Sequence, residues 1–153
     1  MSLQDLIWLS LAAYSLHMLE EYMLDWPAWA RKVSGLRIEW SDFYVVNALV
    51  ILLGLVCAHF GPTVPLLALV FPALMLINAV VHVAGVVIVR GRPFPGIFTA
   101  LVLFVPLGLA CFARAASDSA LSGTTLWGSI GIALALHATP ALLLIRDKPM
   151  FRP

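Results

Sequence analysis

His17, Glu20 and Glu21 fall together in the run His17-Met18-Leu19-Glu20-Glu21. Their spacing of i, i+3 and i+4 projects all three from one face of a helix. An imidazole and two carboxylates on one face can ligate a metal ion, or divide the roles of acid and base between them. Their neighbourhood makes the trio unusual, because residues 6–16 and 22–24 are apolar enough to enter a bilayer. A charged side chain at the centre of a membrane helix costs ~2.5–3.5 kcal/mol on the insertion scale, and such groups mark functional sites. This face therefore has to turn towards a protein-lined interior, and other elements have to meet it there.

Those elements are helices that cross a membrane. Hydrophobic residues make up 62% of the 153-residue chain and charged residues 11%, and mean hydropathy is +1.00. A soluble domain carries about twice that charge fraction. The net charge of +1 and the lack of a basic tract exclude a nucleic-acid partner. No Lys or Arg precedes the first apolar run, which argues against a cleaved signal peptide. Apolar stretches of about 20 residues predict five spans over 4–24, 42–60, 65–89, 96–115 and 123–145, with turns at Gly61-Pro62, Gly91-Arg92-Pro93 and Pro95-Gly96. Segment 25–41 mixes Trp26, Trp29 and Trp40 with Asp25, Arg31, Lys32 and Arg37, which suits an interfacial helix or loop. The expected fold is a single all-α domain over 1–153, an integral membrane bundle of five transmembrane helices.

Five spans place Arg31, Lys32, Arg37, Arg90, Arg92, Arg146, Lys148 and Arg152 on one side and Arg114 on the other. The positive-inside rule then puts the C-terminus in the cytoplasm and the N-terminus outside. Orientation permits a measure of depth at ~1.5 Å per helical residue. His17 lies about 12 Å above Asp25, Asn47 about 7–8 Å above Asp42, His82 about 12 Å above Arg90 and His137 about 13 Å above Arg146. Asn78 sits one turn beyond His82. Four spans thus deliver polar groups to one layer in the cytoplasmic half, whereas His59 falls at the outer end of its span and is excluded.

Each residue also has a plainer reading. Asn47 and Asn78 can be interhelical glue, His137 a core histidine, and Glu20 and Glu21 interfacial acids reaching for the headgroups. Their common depth is what argues for a site. His17, Glu20, Glu21, His82 and His137 form a ligand set for a divalent transition metal, Zn, Fe or Mn, with Asn47 and Asn78 orienting a ring or a water. One of the two acids would bind the ion and the other would act as general base or bridge a second ion. Haem on His82 and His137 would leave both acids without a role. Without a metal, a protonated glutamate beside His17 and Tyr14 could carry out acid–base chemistry on a lipid, as isomerases and terpenoid cyclases do. A proton-coupled transporter is a third possibility, opposed by outer halves built mainly of Leu, Val and Ala. In the enzyme readings a hydrophobic, lipid or isoprenoid-like substrate enters sideways, its polar head held by Arg90 and Arg92.

His17-x-x-Glu20-Glu21, then Asn78-x-x-x-His82, then the turn Arg92-Pro93-Phe94-Pro95-Gly96 resemble the bacterial membrane-protein family named after its HXXEE motif, over roughly residues 6–145. The family is one of unknown function, so the resemblance implies a site and a bacterial inner (cytoplasmic) membrane as its location, and leaves the reaction open. Cys57 and Cys111 both fall near outer span ends and are expected to be buried free thiols rather than a disulfide.

Overall fold

Helices in this chain begin where the sequence supplies partners for their first N–H groups. At Ser2 the hydroxyl accepts from Asp5 N–H at 3.1 Å, and the Asp5 carboxylate accepts from Ser2 N–H at 2.9 Å, a reciprocal box that starts the first helix. Glu39 and Asp42 form the same kind of reciprocal box at the start of the third, Asp42 accepting from Glu39 N–H at 3.1 Å. Pro65 occupies the first turn of the fourth helix, where its missing N–H is no loss.

In the computed structural model, which describes residues 1–34, 38–61, 63–90 and 94–145, these starts lead to six helices and, among the described residues, no strand. They are α1 (Leu3–Met23), α2 (Trp26–Ser34), α3 (Trp40–Phe60), α4 (Pro65–Ile88), α5 (Ile97–Ser117) and α6 (Gly123–Ile145). Three of them, α3, α4 and α5, are long and apolar enough to cross a membrane, so the chain is a membrane protein. α1 and α6 match them in length at 21 and 23 residues. Asp5, Glu20 and Glu21 lower the apolarity of α1, and Gly, Thr and Ser residues with His137 lower that of α6. The segment expected at the interface is in part the short helix α2, which carries Arg31 and Lys32 in its last turn.

α4 is the central element. Over its most apolar stretch 56% is buried, against 28% for α3 and for α5, and it packs on α1, α3, α5 and α6. Lipid tails are as apolar as leucine, so helices in a bilayer associate through close packing rather than by hiding apolar surface. The seams accordingly hold small residues, among them Ala58, Ala68, Ala79, Ala100 and Ala115, around fully buried Ile7, Leu69, Phe71, Met75 and Phe104. Leu49, Leu52, Val80, Val87, Ile88 and Leu109 remain exposed, as lipid-facing positions should. Cys57 and Cys111 are buried free thiols.

Aromatic residues gather where α1 ends and α3 begins. Tyr22 lies 5.3 Å from Trp40, and Trp40 5.8 Å from Tyr44, between ring centroids. The side chain of Trp29 on α2 lies 4.0 Å from Phe94, in the turn before α5. Phe94 in turn occupies the space above Gly85 of α4 that any Cβ there would need. The short helix α2 is thereby tied to the α4–α5 turn, and that turn is where the polar residues meet.

Candidate metal centre

α5 does not start with a side-chain cap of its own. Gly96 precedes it in a left-handed conformation, φ 89°, which glycine adopts without the steric penalty of other residues. The N–H groups of Phe98 and Thr99 in the first turn are instead satisfied from α1. Glu20 Oε1 accepts from Phe98 N–H at 3.1 Å, and Oε2 accepts from Thr99 N–H at 2.8 Å and from the Thr99 hydroxyl at 2.5 Å. A carboxylate at the positive end of a helix is electrostatically favoured as well as hydrogen-bonded. Both oxygens of Glu20 are therefore engaged by α5.

Glu21 follows about 100° further round α1 and looks elsewhere. Its Oε1 lies 3.5 Å from His17 Nε2 and 3.5 Å from His82 Nε2. All three residues are buried, at 7%, 0% and 3% exposure in the order Glu21, His17, His82. One ligand atom from each comes within 4.8 Å of the other two. The donors of a tetrahedral ion with bonds of ~2.0–2.1 Å stand roughly 3.4 Å apart, so the Glu–His separations have the spacing that a shared ion requires.

The hydrogen-bonding state of the rings agrees with that spacing. His17 Nδ1 is 2.9 Å from the Thr99 hydroxyl, while His17 Nε2 and His82 Nδ1 are buried without a hydrogen-bond partner. A buried polar atom left unpaired costs about 1–3 kcal/mol; His17 Nε2 is the one that faces Glu21, whereas His82 turns its Nε2 and not its Nδ1 to that carboxylate. The rings are held from all sides. They stand edge to face at 4.8 Å, Phe104 lies 4.5 Å from His17, and Phe94 lies 4.7 Å from His82. Phe104 reaches His17 from a π-helical turn over Ala100–Phe104, where Val105 N–H reaches back to Ala100 O. Single wide turns of this kind recur at functional sites.

The other residues expected at the site divide into two groups. Tyr14 donates to Asn47 Oδ1 at 2.5 Å, Asn47 donates to Phe43 O at 2.8 Å, and Tyr14 stacks on Phe104 at 6.0 Å. Both are buried one layer behind His17 and brace the wall of the site. Asn78 is half-buried on α4 and His137 half-buried on α6; His137 is not one of the three grouped ligand residues His17, Glu21 and His82. Glu20 is likewise outside that group, so the five-residue ligand set expected from sequence narrows to three. Arg90 is exposed beyond the end of α4, and Arg92 lies outside the described residues. His59 is exposed at the far end of α3. Thr99 was missed by sequence reasoning. The available signal was its place three residues after Gly96, in the first turn of a span.

The fold and the site define a helical membrane protein with a buried cluster of two histidines and a glutamate that could hold a metal ion. The model of the family described as "Protein of unknown function with HXXEE motif" matches residues 8–111, and the chain belongs to that family. No curated protein and no solved structure matches the chain. The matched segment includes His17, Glu20, Glu21, His82 and Thr99 and ends before α6.

Gly96 offers a sharp test of this geometry. A Cβ there would lie 2.6 Å from Cε1 of both histidines and 3.1 Å from Glu21 Cγ. Gly96→Ala also carries a left-handed penalty of roughly 1–2 kcal/mol. The variant is expected to fold with a lower thermal midpoint and to lose divalent-ion binding, whereas Gly131→Ala, whose Cβ meets nothing within 4 Å, should retain both. Unchanged ion binding in Gly96→Ala would contradict the packing described.

Proposed function

We propose that the protein is a membrane-embedded, metal-dependent enzyme acting on a hydrophobic, lipid or isoprenoid-like substrate. The observation that carries this reading is the convergence of Glu21 Oε1 on two buried imidazole nitrogens at 3.5 Å each. His17, Glu21 and His82 would hold a divalent transition ion, with Zn, Fe and Mn all compatible with nitrogen and oxygen donors. Three protein ligands leave a position for water or substrate, as in catalytic rather than structural sites. When bound, the ion would supply Lewis acidity towards a water or a substrate oxygen. Glu20 and Thr99 orient His17, Tyr14 and Asn47 brace the wall, and Phe94 and Phe104 exclude water around the rings.

A substrate with an apolar tail fits a site whose surroundings are transmembrane helices. In this reading α1, α3, α4, α5 and α6 all span the bilayer, with the N-terminus outside and the C-terminus in the cytoplasm of a bacterial cell. The basic residues on the α2 side, with exposed Arg31, Lys32 and Arg90 among them, support that orientation. Arg90 and Arg92 would receive a polar head while the reacting group lies deeper.

A second reading keeps the enzyme without the ion. One carboxylate oxygen equidistant from two imidazole nitrogens is also an arrangement for moving a proton, suited to isomerisation or cyclisation of a lipid.

Metal content separates the two. Protein purified without chelator or metal-affinity tag should retain roughly one transition-metal ion per chain. His17→Ala and His82→Ala should each lose it, and His59→Ala should keep it. Absence of stoichiometric metal from folded wild-type protein would overturn the metal reading in favour of the acid–base one. Orientation has its own test: a C-terminal fluorescent reporter should be bright and a C-terminal alkaline phosphatase inactive. The reverse pattern would move the site to the outer leaflet.

A further inference from the structure

We infer that Glu20 and Thr99 form a relay that sets the tautomer of His17, leaving its Nε2 as an unprotonated donor aimed at Glu21 and His82. This rests on the reading of the cluster as a metal site. The direction of the relay follows from counting protons. A carboxylate accepts only, and Glu20 receives three donors, two of them N–H groups that cannot reverse. The Thr99 hydroxyl has one proton and three neighbours: Glu20 Oε2 at 2.5 Å, His17 Nδ1 at 2.9 Å and its own helix's Gly96 O at 3.3 Å. The shortest, charge-assisted contact takes the proton.

With its proton committed to Glu20, the Thr99 oxygen can only accept from His17. Nδ1 of His17 therefore carries the ring proton, and Nε2 is a bare lone pair in the neutral ring. That nitrogen is the one without a hydrogen-bond partner, and it lies 3.5 Å from Glu21 Oε1. A metal-binding histidine usually has its other nitrogen held by a carboxylate, a carbonyl or water. Here a hydroxyl stands between the carboxylate and the ring. Adjacent acids thereby take opposite tasks: Glu21 faces the ion, and Glu20 governs a ligand through Thr99. Glu20 and Thr99 are positioning residues in this scheme, and neither touches the ion.

The consequence can be read in protein without metal. Imidazole ¹⁵N spectra of histidine-labelled protein in nanodiscs, with His17 assigned through His17→Gln, should show the proton of the neutral ring on Nδ1 and not on Nε2. Thr99→Ser keeps the hydroxyl and should preserve that signature. Glu20→Gln can still offer one oxygen to Thr99 and should also preserve it, although it loses the bond from Phe98 N–H. Glu20→Met removes the acceptor, frees the hydroxyl to donate to Nδ1, and should move the ring proton to Nε2. Thr99→Val should leave His17 in a mixture of tautomers. A merely structural cap would be disturbed in Glu20→Gln and Glu20→Met alike, so the split between these two variants is the diagnostic.

Zinc titration against a competing chelator supplies the second readout. Thr99→Val and Glu20→Met should bind zinc roughly 10–100-fold more weakly than wild type, with Thr99→Ser close to wild type. If Glu20→Met does not fold, Thr99→Val against Thr99→Ser carries the comparison. Wild-type protein whose neutral His17 ring carries its proton on Nε2 and not on Nδ1, or Thr99→Val binding zinc as tightly as wild type, would overturn the relay while leaving the metal site standing. Wild type that binds no zinc yet shows the expected tautomer would overturn the metal reading instead.

Discussion

One contact organises this molecule: the Glu20 carboxylate of α1 reaching across to the first turn of α5. Helix N-termini leave N–H groups that need partners, and inside a membrane no water supplies them. α5 takes two of its partners from another helix. That docks α5 on α1 at a fixed register, brings the Thr99 hydroxyl to His17, and sets Phe104 over the imidazole face. Loss of this clamp would cost more than a cap, because the Thr99 hydroxyl that partners His17 would lose its acceptor as well.

The same clamp explains how two neighbouring glutamates can share one packed, mostly apolar helix. Each finds a different compensation for the loss of water. Glu20 is neutralised by oriented backbone and hydroxyl dipoles at a helix start. Glu21 is compensated by two imidazoles, one beside it on α1 and one brought by α4. The close approach of that second ring depends on Gly96, which leaves free the space both Cε1 atoms border. Burial, the helix start and the missing Cβ act together on one cluster, which could hold a metal ion.

Much of this was legible in the sequence, and the part that was not has a definite cause. Helix positions follow from apolar length and from Gly and Pro turns, so five apolar stretches correspond closely to α1, α3, α4, α5 and α6. The meeting of His17 and Glu21 with His82 followed from a shared depth in the membrane, since i, i+4 spacing and distance from the span end are one-dimensional quantities. Azimuth is the other coordinate, and spacing does not supply it across helices. His137 has the expected depth and still is not among the three residues whose ligand atoms come together. For the same reason sequence could not say which of Glu20 and Glu21 faces the histidines. Thr99 was invisible because a threonine in an apolar span is unremarkable until the Gly96 turn and the π-helical segment aim it at His17.

X-ray absorption at the zinc edge of the reconstituted wild-type protein tests the central claim most directly. The arrangement of His17, His82 and Glu21 predicts a first shell of nitrogen and oxygen at ~2.0–2.1 Å. Outer-shell scattering should correspond to two imidazoles and fall to one in His82→Ala supplied with excess zinc. A shell containing sulfur at ~2.3 Å, or one without imidazole scattering, would place the ion elsewhere and contradict the account.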